Sequence, residues 1–186
     1  MAKEFRHYRV LDEQLKKHVD DKTRKEILEN MDYVRDSSKQ EIKATWAYEV
    51  TKRLDEKIDK ETCIKIREGC ACVLSNEKSI YAKEFKKLRK IHKNDDEYLN
   101  EVIKYLNNTK PLRRCGEVSR DEDKIISIIG RGKCGCTVVR EGLNQPISKT
   151  WCQCCKGSLL SVYKYVYNDK ECEMDILRTV ASGESD

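Results

Sequence analysis

Long apolar runs are missing from this sequence. Nothing in its 186 residues approaches the run of about 18 apolar positions that a membrane-spanning helix requires. The opening Met1-Ala2-Lys3-Glu4-Phe5-Arg6 carries no apolar export segment. Histidine is scarce: His7, His18 and His92 are the only ones, all in the first half, so no Cys-His dyad can be read off. There is no phosphate-binding loop, no dinucleotide fingerprint and no Ser-His-Asp order, which argues against nucleotide-binding and serine-hydrolase chemistry. Internal repeats and low-complexity tracts are absent too. With no export signal in view, the expected setting is the cytoplasm, where thiols stay reduced.

What the chain does have is charge and cysteine. Charged residues make up 38% of it, and the mean hydropathy is -0.79. The net charge of +5 comes from 38 basic and 33 acidic residues, a mild excess that favours anionic partners only weakly. Ten cysteines would suggest a disulfide framework in a small secreted protein. In a reducing compartment they point instead to metal binding, catalysis or burial.

Hydrophobic periodicity predicts helices up to about residue 107. One covers Leu11, Leu15 and Val19, after ten loose residues. A second starts near Thr23 and buries Ile27, Leu28 and Met31. A third follows Ser38, with Glu41 completing a capping box and Ile42, Trp46, Val50, Leu54 and Ile58 on one face. Asp59 caps a fourth, whose stripe is Cys63, Ile66, Cys70 and Val73. Ser79 and Asp95 open two more, burying Tyr81, Phe85 and Leu88, then Leu99, Val102, Ile103 and Leu106. Asn107-Asn108-Thr109-Lys110-Pro111 breaks the pattern.

Beyond the break, Glu117-Val118-Ser119 and Lys124-Ile125-Ile126-Ser127-Ile128-Ile129 predict strands around an acidic turn. Thr137-Val138-Val139 predicts a third strand. A helix from about Gln153 to Tyr167 follows, and alternation through Met174, Ile176, Arg178 and Val180 predicts a closing strand. The expected class is α+β, with N-terminal helices, then a small antiparallel sheet with a packed helix. Residues 1–110 form the helical part and 111–186 the cysteine-rich part of one folded unit.

The chemistry centres on two Cys-x-Cys pairs, Cys134/Cys136 and Cys152/Cys154. The two sulfurs of such a pair share a side when the backbone is extended or kinked, which Gly135 permits in the first pair. Four soft ligands suit tetrahedral zinc. A reactive thiol and inert buried thiols are the competing readings. Cys155 is a spare ligand or a candidate nucleophile, with core packing the favoured reading. Cys63 and Cys70 belong to a core stripe, Cys72 lies off it, and Cys115 and Cys172 stand alone. The basic run from Lys83 to Lys93 reads as a solvated helix face, which ranks nucleic-acid binding low. Trp151, Tyr163, Tyr165 and Tyr167 are candidates to line a pocket for a small apolar ligand, although Tyr163 shares the apolar helix stripe.

Gly116-Glu117-Val118-Ser119-Arg120, Lys133-Cys134-Gly135-Cys136, Trp151-Cys152-Gln153-Cys154-Cys155-Lys156-Gly157 and the segment from Glu173 to Glu184 occur in an order that carries a resemblance. In that order the stretch from Gly116 to Asp186 resembles a bacterial family of uncharacterised proteins related to L-2-amino-thiazoline-4-carboxylic acid hydrolase and, more distantly, to four-vinyl-reductase-type ligand-binding domains. The resemblance implies an α+β fold whose pocket holds small molecules, sometimes beside a zinc bound largely by cysteines.

The expected function is therefore a small-molecule-binding, sensory domain with a zinc site at Cys134, Cys136, Cys152 and Cys154. The alternatives are a hydrolase of small amino-acid-like heterocycles, acting through metal-activated water or a cysteine, and a basic adaptor for nucleic acid. The oligomeric state is left open, a homodimer being one outcome.

Overall fold

Side-chain caps start the helices where the sequence offers them. The computed structural model describes residues 4–108, 116–122, 124–129, 134–167 and 172–184. Its α+β architecture has seven α-helices and one two-stranded antiparallel sheet among those residues. The helices are α1 (Arg6–His18), α2 (Asp21–Leu28), α3 (Gln40–Lys57), α4 (Lys60–Gly69), α5 (Ile80–Ile91), α6 (Asp95–Asn108) and α7 (Lys149–Tyr163).

Asp20 caps α2 by accepting from the Lys22 and Thr23 N–H groups. Asp59 and Ser79 cap α4 and α5 as expected, accepting from Thr62 N and Ala82 N. The cap of α6 is Asn94, which accepts from Asp96 N and Glu97 N, one residue ahead of the expected Asp95. Ser38 does not cap α3: its hydroxyl accepts from Arg35 N, and the helix starts at Gln40.

The chain packs as two units, each drawing on both sides of the break at 107–111. Residues 1–72, 136–158 and 175–186 make the first, and 73–135 with 159–174 make the second. Residues 149–158 of α7 therefore belong to the first unit and its last turn to the second.

In the first unit residues 4–10, expected to be loose, are ordered into the fold. Phe5 is buried, α1 starts at Arg6, and Glu4 bridges to Arg35. Leu11 and Leu15 of α1 and Trp46, Val50 and Leu54 of α3 are fully buried, each contributing about 1.5–3 kcal/mol of apolar transfer. The α3 stripe is rotated from the expected one, because Ala44, Ala47 and Thr51 are inside while Ile42 is exposed. The Trp46 indole N–H donates to Met31 O at 2.9 Å, and its ring meets Trp151 edge-on at 6.1 Å.

Two expected strands of this part are not strands. Thr137-Val138-Val139 is a turn: Arg140 N donates to Cys136 O, and the Gln40 amide donates to both Thr137 O and Val138 O. Residues 172–179 run without ladder partners among the described residues and end in a 3-10 turn at Val180–Ser182.

The second unit holds α5, α6, β1 (Gly116–Asp121) and β2 (Lys124–Ile129). The strands pair with Val118 opposite Ser127, the antiparallel arrangement expected. Asn107, expected to break the helix, sits near the end of α6 and clamps β1, donating to Val118 O at 2.7 Å and accepting from Val118 N at 2.8 Å. Tyr163 and Tyr165 are buried in this unit's core with Phe85, Tyr98 and Val166. They are packing residues and not pocket walls. Val73, expected to continue the α4 stripe, is exposed.

Candidate functional site

Helix α4 turns a charge inward. Its buried stripe of Cys63 and Ile66 includes Arg67, which is fully buried at 0% exposure. The guanidinium stacks on the Trp151 ring at 4.1 Å from its centroid. Nη2 donates to Trp151 O at 3.0 Å. Nε and Nη1 are buried and have no hydrogen-bond partner among the described residues, and no carboxylate there forms an ion pair with Arg67. A buried cation without a counter-charge is costly, by several kcal/mol.

The surroundings of Arg67 are cysteines. Burial works against its charge, and as thiolates the sulfurs of Cys154, Cys70, Cys136 and Cys72 would outweigh that and raise its pKa. Sulfur can give such compensation only as thiolate. Without another cation to hold them, Cys154, Cys72 and Cys70 keep their protons. The hydrogen bond that the Cys154 thiol donates to Cys155 pushes Cys154 up, and one with Cys154, followed by burial, pushes Cys72 up. Burial raises Cys70, against the opposing pull of Arg67. Arg67 therefore calls for negative charge that protonated thiols do not supply.

Close approach of two helices builds the cluster. A Cβ on Gly157 of α7 would lie 2.3 Å from Glu68 O, so only glycine lets α7 sit against the end of α4 here. Lys156 bonds Glu68 at 2.8 Å beside it. Cys154 thereby meets Cys72.

Of the four cysteines the spacing nominates, Cys136 and Cys154 join this cluster. Cys152 is buried within α7, about 200° round the helix from Cys154. The second pair lies inside a helix that begins at Lys149, where the sequence predicts it to precede one. Its two sulfurs consequently do not converge. Cys134 belongs to the second unit, as does Cys172, and Cys115 lies outside the described residues. Cys63 is core, its thiol facing Leu54 O at 3.3 Å. Cys70 and Cys72 are the residues that sequence reasoning assigned elsewhere, although Gly69-Cys70-Ala71-Cys72 repeats the glycine-flanked Cys-x-Cys spacing and was the available signal. Among the described residues no three His, Cys, Asp or Glu side chains stand in a metal-ligating arrangement.

A cavity of about 480 Å³ opens in the same unit. Arg6, His7, Arg9, Asp36, Lys43 and Thr137 are among the residues that line it. Trp151 is fully buried and is not a wall of it. The His7 ring lies 5.1 Å from Phe5 and 6.4 Å from Trp151. Burial first, then the charges of Arg67 and Arg6, depress its pKa from 6.5 to about 4.

That shift has a measurable consequence. Above pH 6.5 His7 is neutral both folded and unfolded. Between 6.5 and about 4 the unfolded chain binds a proton that the folded one does not, so stability falls as pH falls. The expected loss across this window is about 3 kcal/mol. Urea unfolding of wild type and His7→Gln from pH 7 to 4.5 tests this, since His7→Gln should flatten the profile there; equal slopes would contradict it.

On the α5 face, Lys87 and Arg89 pair with Glu84 and Asp95, in keeping with a solvated basic helix. No helix among the described residues is long and apolar enough to cross a membrane. Residues 2–186 match the family of unknown function DUF6144, and the chain belongs to that family. No curated protein and no solved structure matches it.

Proposed function

Because membership of this family brings no activity with it, we propose from the site alone that the protein is a cytoplasmic small-molecule-binding, sensory domain with a zinc–thiolate centre. The observation that carries the reading is the fully buried Arg67, with two unpartnered N–H positions, among Cys70, Cys72, Cys136 and Cys154. The donor chemistry suits the metal, since soft thiolates bind zinc, although the four sulfurs do not already stand in a ligating arrangement. The charge fits as well: zinc with four thiolates would carry two excess negative charges, and the buried Arg67 guanidinium would balance part of them.

Zinc here would supply folding energy by replacing thiol protons and tying the end of α4 to α7 and the loop at Cys136. The resemblance to zinc-bearing ligand-binding domains supports the same reading. Of the two forms of the rival hydrolase reading, metal-activated water or a cysteine nucleophile, the raised Cys154 and Cys72 pKa values disfavour the second, which needs a ready thiolate.

Single Cys→Ser exchanges, with zinc per chain measured after purification, test the ligand set. Cys70→Ser, Cys72→Ser, Cys136→Ser and Cys154→Ser should each lose most of the metal, and Cys134→Ser and Cys152→Ser should keep it. Loss at Cys134 and Cys152 with retention at Cys70 and Cys72 would reject this set in favour of the one nominated by spacing.

A further inference from the structure

The cavity at the start of α1 has a charge pattern that the thiol centre does not use. Three permanent cations line it, Arg6, Arg9 and Lys43, against the carboxylates of Glu4 and Asp36. Asp36 is already engaged, accepting from the Arg6 backbone N–H at 3.2 Å. The cations hold only replaceable partners. Arg9 pairs with Glu13 in an exposed i,i+4 contact, a kind of pair worth little. The Arg6 guanidinium reaches Cys72 O at 3.4 Å, and the Lys43 ammonium donates to Asp36 O.

The same charges act on His7. After burial, the causes that suppress its protonation include Arg67, Arg6 and Lys43, with Asp36 alone opposing them. The volume of about 480 Å³ lies within the range for small-molecule sites.

We propose that this cavity binds a small molecule through an oxyanion, a carboxylate or a phosphate, held by Arg6, Arg9 and Lys43. The proposal rests on the small-molecule part of the functional reading and names its ligand class. It also supplies a route from ligand to sulfur. Arg6 contacts Cys72 O, and the Thr137–Val138 wall, clamped by Gln40, directly follows Cys136. A ligand that draws Arg6 inward therefore acts on the segment carrying Cys72.

Calorimetric titration of the full chain with inorganic phosphate and with succinate, each against sodium chloride at matched ionic strength, tests the site. At least one of the two should bind saturably, and which one does identifies the headgroup. Arg6→Gln and Lys43→Gln should each weaken that binding at least tenfold, while Lys86→Gln on α5 leaves it unchanged. Arg9→Gln, at an exposed position, should weaken it too and serves if the other variants fail to fold. No binding beyond chloride, or binding indifferent to all three cavity variants, overturns the proposal. Zinc per chain is measured on the same samples, so absence of anion binding by the metal-replete wild type rejects the cavity and not the thiol centre.

Discussion

Arg67→Met is expected to lower the unfolding free energy of the zinc-loaded protein by about 3–5 kcal/mol, the scale seen when one partner of a buried charge pair is removed. The guanidinium is fully buried, stacked on Trp151 and surrounded by Cys154, Cys70, Cys136 and Cys72. If those sulfurs hold zinc as thiolates, methionine leaves their excess charge buried and without its N–H donors. Zinc affinity should then fall by about 10–100-fold, as for other outer-shell partners of metal ligands. If the sulfurs are neutral thiols the sign reverses. A methionine of similar volume then relieves an uncompensated buried cation, and stability should hold or rise by about 1–4 kcal/mol. Urea unfolding of both proteins in metal-controlled buffer, with metal content measured in parallel, separates the two outcomes by sign.

Gly157→Ala should act as strongly, against the direction that helix propensity predicts. In an exposed helix interior this exchange stabilises by about 1 kcal/mol. Here the new Cβ would meet Glu68 O at 2.3 Å and Glu68 C at 2.9 Å, backbone atoms that cannot rotate away. Helices α4 and α7 must separate, at a cost of about 3 kcal/mol by analogy with other overpacked sites. Cys154 moves away from Cys72 with them. The urea midpoint should drop and zinc content with it. An unchanged midpoint would show that the approach of the two helices is not tight.

The same contrast between local and distant causes explains what was legible in the sequence. Asp59 and Ser79 were readable as caps because a cap is settled within four residues. Ser38 offers the same pattern, but its hydroxyl is used by Arg35 N in the preceding turn. Thr137-Val138-Val139 has the composition of a strand, yet its carbonyls are taken by Gln40, about a hundred positions away, which no local pattern reports.

The site divides in the same way. Cys136 and Cys154 stood out by spacing. Cys70 was legible as buried, and it is buried, but periodicity could not show that Arg67 beside it turns the stripe into a charged centre. His7 was overlooked because the first ten residues were expected to be loose, whereas Phe5 packs against Trp46 at 5.2 Å and α1 starts at Arg6.

The most direct test of the thiol centre is the metal content of wild-type protein purified without added metal, combined with thiol titration of the folded protein. About one zinc per chain is expected, with Cys70, Cys72, Cys136 and Cys154 protected from thiol reagents until a chelator is added. A folded, metal-free protein whose thiols in this cluster react without a chelator would contradict it.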